Sequence, residues 1–262
     1  MTWQLQRKDV LDGDRLRALL AEHPGRAAQA IMSAAAENIA DAQALLGQIL
    51  LDGTGIARDP GLALRWFEIA ARNGHVMALN MLGRCHEHGW GCPPDAALAA
   101  DHYQRAASAG LDWGLYNLGN LLATGRGVPR DQSRALDCYR QAAGMGHAKS
   151  MNLLGRYLED GVFCHQDLPA AHEWYRRSAE GGDFRGQFSH AAVLADHGRI
   201  DEAVVWLRLA LQNGNLNFLR VSRAALLQSD HVEIRALAKD FHQRAMQLGD
   251  DHDRAAFELI YA

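Results

Sequence analysis

One register recurs along this chain every 36 residues. Gly47, Gly83, Gly119 and Gly155 each follow a leucine, and Gly53, Gly89, Gly125 and Gly161 stand six residues later. The pairs Trp66 with Phe67, His102 with Tyr103, Cys138 with Tyr139 and Trp174 with Tyr175 keep the same interval. So do Ala71, Ala107, Ala143 and Ala179, and then Gly74, Gly110, Gly146 and Gly182. A period of this size, punctuated by glycine, restricts the chain to an all-α solenoid of stacked antiparallel helix pairs. In such a stack each hairpin buries its apolar face against its neighbours. Function then becomes a question of what the stack holds.

Each repeat divides into two helices. In the second, Ala78, Leu82 and Cys85 recur at helical spacing and define a helix A, with Gly83 expected where a neighbouring backbone comes close. Gly89, Trp90 and Gly91 end that helix, one or both glycines taking positive φ. Asp59, Asp95, Asp131 and Asp167 share one position, four residues before Ala63, Ala99, Ala135 and Ala171. They are expected to be N-caps of helix B rather than a row of catalytic acids. The slot after the loop holds Ile56, Cys92, Val128 and Cys164, so two of the four cysteines read as small apolar plugs.

The expected organisation is one continuous solenoid. Residues 1–40 form an N-terminal cap and a half-repeat running from Ala28 to Asn38. Full repeats follow at 41–76, 77–112, 113–148 and 149–184. A shortened repeat at 185–216 keeps Trp206, Leu207, Ala210 and Gly214 but has lost four residues from its loop. Residues 217–262 hold a degenerate repeat with Phe241, Ala245 and Gly249, and a C-terminal cap. End caps, at 1–23 and 251–262, are expected because a stack exposes apolar faces at its ends.

A net charge of −4 gives no electrostatic case for nucleic acid or an anionic membrane. No window reaches the roughly 18 apolar residues of a membrane span, and the first eight residues lack the apolar stretch of a secretory signal. The cytoplasm is the expected location. Cys85, Cys92, Cys138 and Cys164 form no pair that recurs with the repeat, so they read as reduced thiols.

The ordered set of Leu-Gly, a Gly-x-Gly-apolar loop, a capping Asp, an alanine, an aromatic pair, a small pair and a final Gly resembles the SEL-one-like repeat. That repeat is a relative of the tetratricopeptide repeat. The likeness covers roughly residues 41–184 without a gap and extends in degraded form over about 24–250. The resemblance implies a right-handed α-solenoid that acts as a bacterial scaffold or adaptor for a protein or peptide, without catalysis or cofactor. Some secreted members carry paired cysteines and have a proposed penicillin-hydrolysing activity; this chain lacks the pairs. The resemblance also carries a hint of association with iron-uptake receptors and iron-dependent hydroxylases.

If helix A lines the inner curve, as the resemblance implies, its outward stripe is the candidate binding face. That stripe is Asn80, Arg84 and Glu87, then Tyr116, Asn120 and Ala123, then Asn152, Arg156 and Glu159. Asn and Arg suit a peptide backbone or carboxylate, with Tyr116 packing beside it. The alternative is that Arg84 with Glu87, and Arg156 with Glu159, form exposed pairs three residues apart. Trp90 at a loop tip and Trp113 at the start of a helix A lie outside the shared core pattern and are expected to be exposed interface anchors.

The rival class is a metal- or small-ligand-binding accessory of iron or envelope metabolism, using His86, His88 and nearby acids. Against it, the two histidines diverge by about 200° on a helix, no Cys-x-x-Cys occurs, and Cys85 and Cys92 occupy core slots. The chain has no Gly-x-Ser-x-Gly elbow and no phosphate-binding glycine motif. His75 and His147 share a place that Leu111 and Asp183 fill elsewhere, which argues against a common proton-transfer role.

Overall fold

Glycine and aspartate set where each helix stops and starts. In the computed structural model, which describes residues 13–261, helices α2 to α11 are each 13 residues long. The chain divides into two units, Met1–Arg130 and Asp131–Ala262. The first carries α1 (Gly13–Glu22), α2 (Pro24–Ala36), α3 (Ala40–Asp52), α4 (Pro60–Arg72), α5 (Val76–His88), α6 (Ala96–Ser108) and α7 (Asp112–Thr124). The second carries α8 (Gln132–Gly144), α9 (Ala148–Asp160), α10 (Leu168–Glu180), α11 (Phe184–Asp196), α12 (Ile200–Asn213), α13 (Leu216–Leu227), α14 (Val232–Leu248) and α15 (Asp251–Tyr261). Among the described residues there is no strand, and within each unit successive helices pack as adjacent pairs.

Helix A of each full repeat, α3, α5, α7 or α9, ends on a left-handed glycine: Gly53, Gly89, Gly125 or Gly161. In the first three loops the second glycine, Gly55, Gly91 or Gly127, also has positive φ. Helix B begins on the expected aspartate. Asp59 accepts from the N–H of Leu62, Asp95 from those of Ala97 and Leu98, Asp131 from Arg134 and Asp167 from Ala170. Helix A is capped too, by side chains that share one register position. Imidazole Nδ1 of His75 accepts from Ala78 at 3.0 Å, that of His147 from Ser150 at 3.3 Å, and the Asp183 carboxylate from Gly186 at 3.0 Å.

The Leu-Gly glycine does a different job from the one expected. A Cβ on Gly83 would lie 2.4 Å from the Tyr103 ring; on Gly47 it would lie 2.7 Å from Phe67, and on Gly155 2.6 Å from Tyr175. The neighbour is therefore the aromatic ring of the same hairpin's helix B, packed against helix A, rather than another backbone. Close backbone approach occurs at the second loop glycine instead. There a Cβ would sit 2.1 Å from the Pro24 carbonyl oxygen at Gly55, 2.1 Å from that of Pro60 at Gly91, and 2.2 Å from the carbonyl carbon of Ala96 at Gly127. Each of these loops thus rests on the first turn of helix B in the preceding hairpin. In the fourth repeat Phe163 fills that slot and is 46% exposed.

Ala63, Ala99, Ala135 and Ala171 are all fully buried, which lets helix B pack closely on both sides. The shortened repeat is α11 with α12, joined by residues 197–199 alone, whereas α5 and α6 are joined by residues 89–95. The stretch expected to be a degenerate repeat folds as helices α13 and α14, with Phe241 and Ala245 fully buried, and most of the expected half-repeat lies in α2. Of the expected end caps, residues 1–12 and 262 lie outside the described residues. At the other end, Asp253 of α15 is fully buried and bound by Arg220. All four cysteines are unbridged. No helix of the described residues is long and apolar enough to cross a membrane.

Candidate functional site

The predicted stripe on helix A separates into two kinds of residue. Asn80 and Asn152, expected to face outward, are each only 3% exposed. The Asn80 carbonyl oxygen accepts from Asn117 of the next helix A at 2.8 Å, and that of Asn152 accepts from Ser189 at 3.0 Å. Helix A in a stack is flanked by its own helix B and by the next helix A, so its free strip is narrower than half its circumference. These two amides fall inside the contact and tie neighbouring repeats together. Tyr116, at the same register, is partly buried and meets Trp113 edge-on with ring centroids 6.0 Å apart.

One turn further along, Arg84 and Asn120 are partly buried and Arg156 is exposed. Arg84 lies over the indole of Trp90, 4.9 Å from its centroid, a cation–π contact. The Asn120 backbone carbonyl accepts from Thr124 Oγ1 at 2.7 Å.

The third row is the most structured. The side chain of Glu87 is 11% exposed; it accepts the Tyr103 hydroxyl at 2.6 Å and forms an ion pair with Arg126. Glu159 accepts the Tyr175 hydroxyl at the same 2.6 Å but is itself exposed. The alternative pairing of Arg84 with Glu87 is not formed: one is engaged by an indole, the other by a phenol and a guanidinium. Burial first, and then the facing carboxylate, holds the hydroxyls of Tyr103 and Tyr175 well above the ordinary phenol range. Both tyrosines therefore act as donors. Arg126, Tyr103 and Tyr175 are absent from the predicted set. The signal for the two tyrosines was a fixed spacing of 16 residues from each glutamate.

Neither tryptophan is the exposed anchor expected. Trp90 is partly buried, packs on the core cluster that includes Leu51, and lies 4.9 Å from the ring of His88. Trp113 is likewise partly buried, beside Tyr116.

The cysteine and histidine segment does not gather into a ligand set. Nδ1 of His86 lies 3.4 Å from the Cys92 sulfur, and its ring stacks on His102 at 5.4 Å, while His88 turns to Trp90. Burial pushes the Cys85 thiol up to about 12, so it offers no thiolate at neutral pH. Among the described residues no three His, Cys, Asp or Glu side chains converge as metal ligands. What this surface presents chemically is guanidinium, amide and carboxylate groups held in place by aromatic neighbours.

A family model of the Sel1 repeat matches residues 40–75, 76–111, 114–147, 148–183 and 194–215, more than half of the chain. The chain belongs to the Sel1 repeat family. Among solved structures, this Sel1 repeat protein is similar to a Sel1 repeat protein from Oxalobacter formigenes, at 25% identity and a TM-score of 0.71, over 94% of this chain and 100% of that one. A protective antigen of uropathogenic Escherichia coli strains with an SLR fold matches at 24% identity and a TM-score of 0.64. That match covers 94% of this chain but only 55% of the antigen, so the chain spans about half of its length. An immunity protein from Pseudomonas aeruginosa shares the fold at 17% identity and a TM-score of 0.54, over 80% of this chain and 81% of that one. No curated protein matches significantly. Sel1 repeat proteins are generally protein-interaction scaffolds without catalysis.

Proposed function

We propose that this Sel1 repeat protein is a non-catalytic cytoplasmic scaffold that binds a protein or peptide through the accessible strip of its A helices. In the first unit the strip comprises Arg84, Tyr116, Asn120 and Trp113; in the second it comprises Arg156 and Glu159. One observation carries the reading. The register positions that recur are consumed by packing and capping, whereas the position holding Arg84, Asn120 and Arg156 changes from repeat to repeat and stays at least partly open to solvent. A scaffold that keeps its core constant and varies its accessible side chains is equipped to recognise one ligand by a few anchors.

The test is affinity capture from the source cell with wild-type bait and with a variant carrying Arg84→Ala, Asn120→Ala and Arg156→Ala, read by mass spectrometry. Asn80 and Asn152 stay intact because they support the fold. A protein held by the wild type and lost from an equally helical variant supports the strip as the binding face; identical capture by both rules it out.

A further inference from the structure

The loops of the first unit dock on their own neighbours, and in the second unit the pattern runs out at one place. Each loop-tip residue stands 39 residues after a residue in the last turn of the preceding helix A, pairing Trp90 with Leu51 and Arg126 with Glu87. At the first junction Trp90 packs on the apolar cluster containing Leu51. At the second, Arg126 closes on Glu87, whose carboxylate also accepts the Tyr103 hydroxyl. Apolar meets apolar, and charge meets charge.

Glu159 repeats the setting of Glu87. It lies in the last turn of α9 and accepts the Tyr175 hydroxyl at 2.6 Å. The loop that would supply its cation is four residues shorter, residues 197–199 in place of seven. The one arginine in that turn, Arg199, is bound in two-pronged fashion to Glu202 at 2.7 and 2.6 Å. Among the described residues no cation lies within ion-pair distance of Glu159. The loop that follows α9 presents Val162 and Phe163, 72% and 46% exposed, so the open carboxylate has apolar neighbours in sequence.

Resting on the scaffold reading above, we infer that the last turn of α9 with residues 162–163 is a docking site for an arginine-bearing segment of a partner protein. The partner's guanidinium takes on Glu159 the place that Arg126 takes on Glu87, and an adjacent apolar residue of the same segment lies on Val162 and Phe163. Tyr175 holds the carboxylate in the orientation that receives it.

The probe is the molecule's own template: a blocked Gly-Arg-Gly-Val-Pro peptide, the sequence of residues 125–129, with a Gly-Glu-Gly-Val-Pro control. In a nitrogen-15 NMR titration of the full chain, the arginine peptide shifts amides in the last turn of α9 and at 162–163, with an affinity of about millimolar. The control shifts none of them, added salt weakens the effect, and Glu159→Gln weakens it about five-fold. The Gln carbonyl still accepts from Tyr175, so this variant keeps the local fold. Shifts confined to other regions, or unchanged in Glu159→Gln, overturn the inference. If a partner is nonetheless captured through Arg84 and Asn120, the scaffold reading stands and this site alone falls.

Discussion

Glu87 and Glu159 occupy one register position, 72 residues apart, and accept a tyrosine hydroxyl at the same 2.6 Å, yet one is enclosed and the other open. The helices that carry them do not account for the contrast. The length of the next loop does: seven residues between α7 and α8 send Arg126 back to Glu87, and three between α11 and α12 have no tip to send. A second contrast follows the same line. Loops of the first unit are seated by glycine against a backbone, while the fourth loop has Phe163 in that slot. In this fold the helices supply a constant frame, and the loops decide which of its groups remain available.

The largest test of that contrast is Gly91→Ala. Positive φ costs an alanine about 1–2 kcal/mol, and the new methyl meets the Pro60 carbonyl oxygen at 2.1 Å. Urea denaturation is expected to show a loss of about 3 kcal/mol. Phe163→Ala, at the matching position, is expected to stay within about 0.5 kcal/mol. A Gly91→Ala variant as stable as wild type would break the idea that first-unit loops are seated by backbone contact.

Next comes the phenol. Tyr103→Phe takes a hydrogen bond from a carboxylate largely shielded from water and is expected to cost about 1.5–2 kcal/mol. Tyr175→Phe should cost about half as much, because water reaches Glu159. Equal losses would erase the distinction between enclosed and open sites. The phenols also give a sign for pH. Because the folded state raises both above the usual phenol range, it holds their protons more tightly than the unfolded chain. That stabilisation is complete below about pH 10 and is lost as pH rises beyond it. Denaturation midpoints of Tyr103→Phe should therefore fall less steeply in alkali than those of wild type.

Capping serves as the control for the frame. Asp95→Ala and Asp167→Ala are each expected to cost about 1 kcal/mol, one in each unit. Strongly unequal values would mean that the frame itself differs between units. The smallest effect is that of Arg126→Ala, about 0.5 kcal/mol and weaker in salt. Its sharper readout is binding: with Glu87 uncovered, the Gly-Arg-Gly-Val-Pro peptide should acquire a second set of shifts at the end of α5.

The helix pairs, the four aspartate caps and the left-handed loop glycines were legible in the sequence because each is a local device repeated at one interval. Asn80 and Asn152 were misplaced because a helical wheel separates inside from outside but does not show that a helix in a stack has two flanks covered. Trp90 differs for a related reason: the loop folds its indole back onto a core cluster that spans two repeats, under Arg84 and beside His88, which a loop-tip position does not reveal. The partnership of Glu87 with Arg126 leaves a trace in the sequence only as opposite charges 39 residues apart, an interval that links a loop tip to the preceding helix end. The shared place of His75 and His147 spoke against a common proton-transfer role, and their position just ahead of helix A marks them as caps, the work that Asp183 does at the same place in the fourth register.

The dependence of each helix end on the following loop tip bears on how such an array is inherited or engineered. A repeat of this kind is an incomplete word: its tip answers a residue in the repeat before it, and its own helix end waits for the tip of the one after. Excising, duplicating or transposing a repeat therefore parts Arg126 from Glu87, or Trp90 from the apolar cluster it packs on, even where every hairpin keeps its capping aspartate and its glycines. Identical architecture does not make the repeats interchangeable; their order along the chain is itself encoded at the junctions.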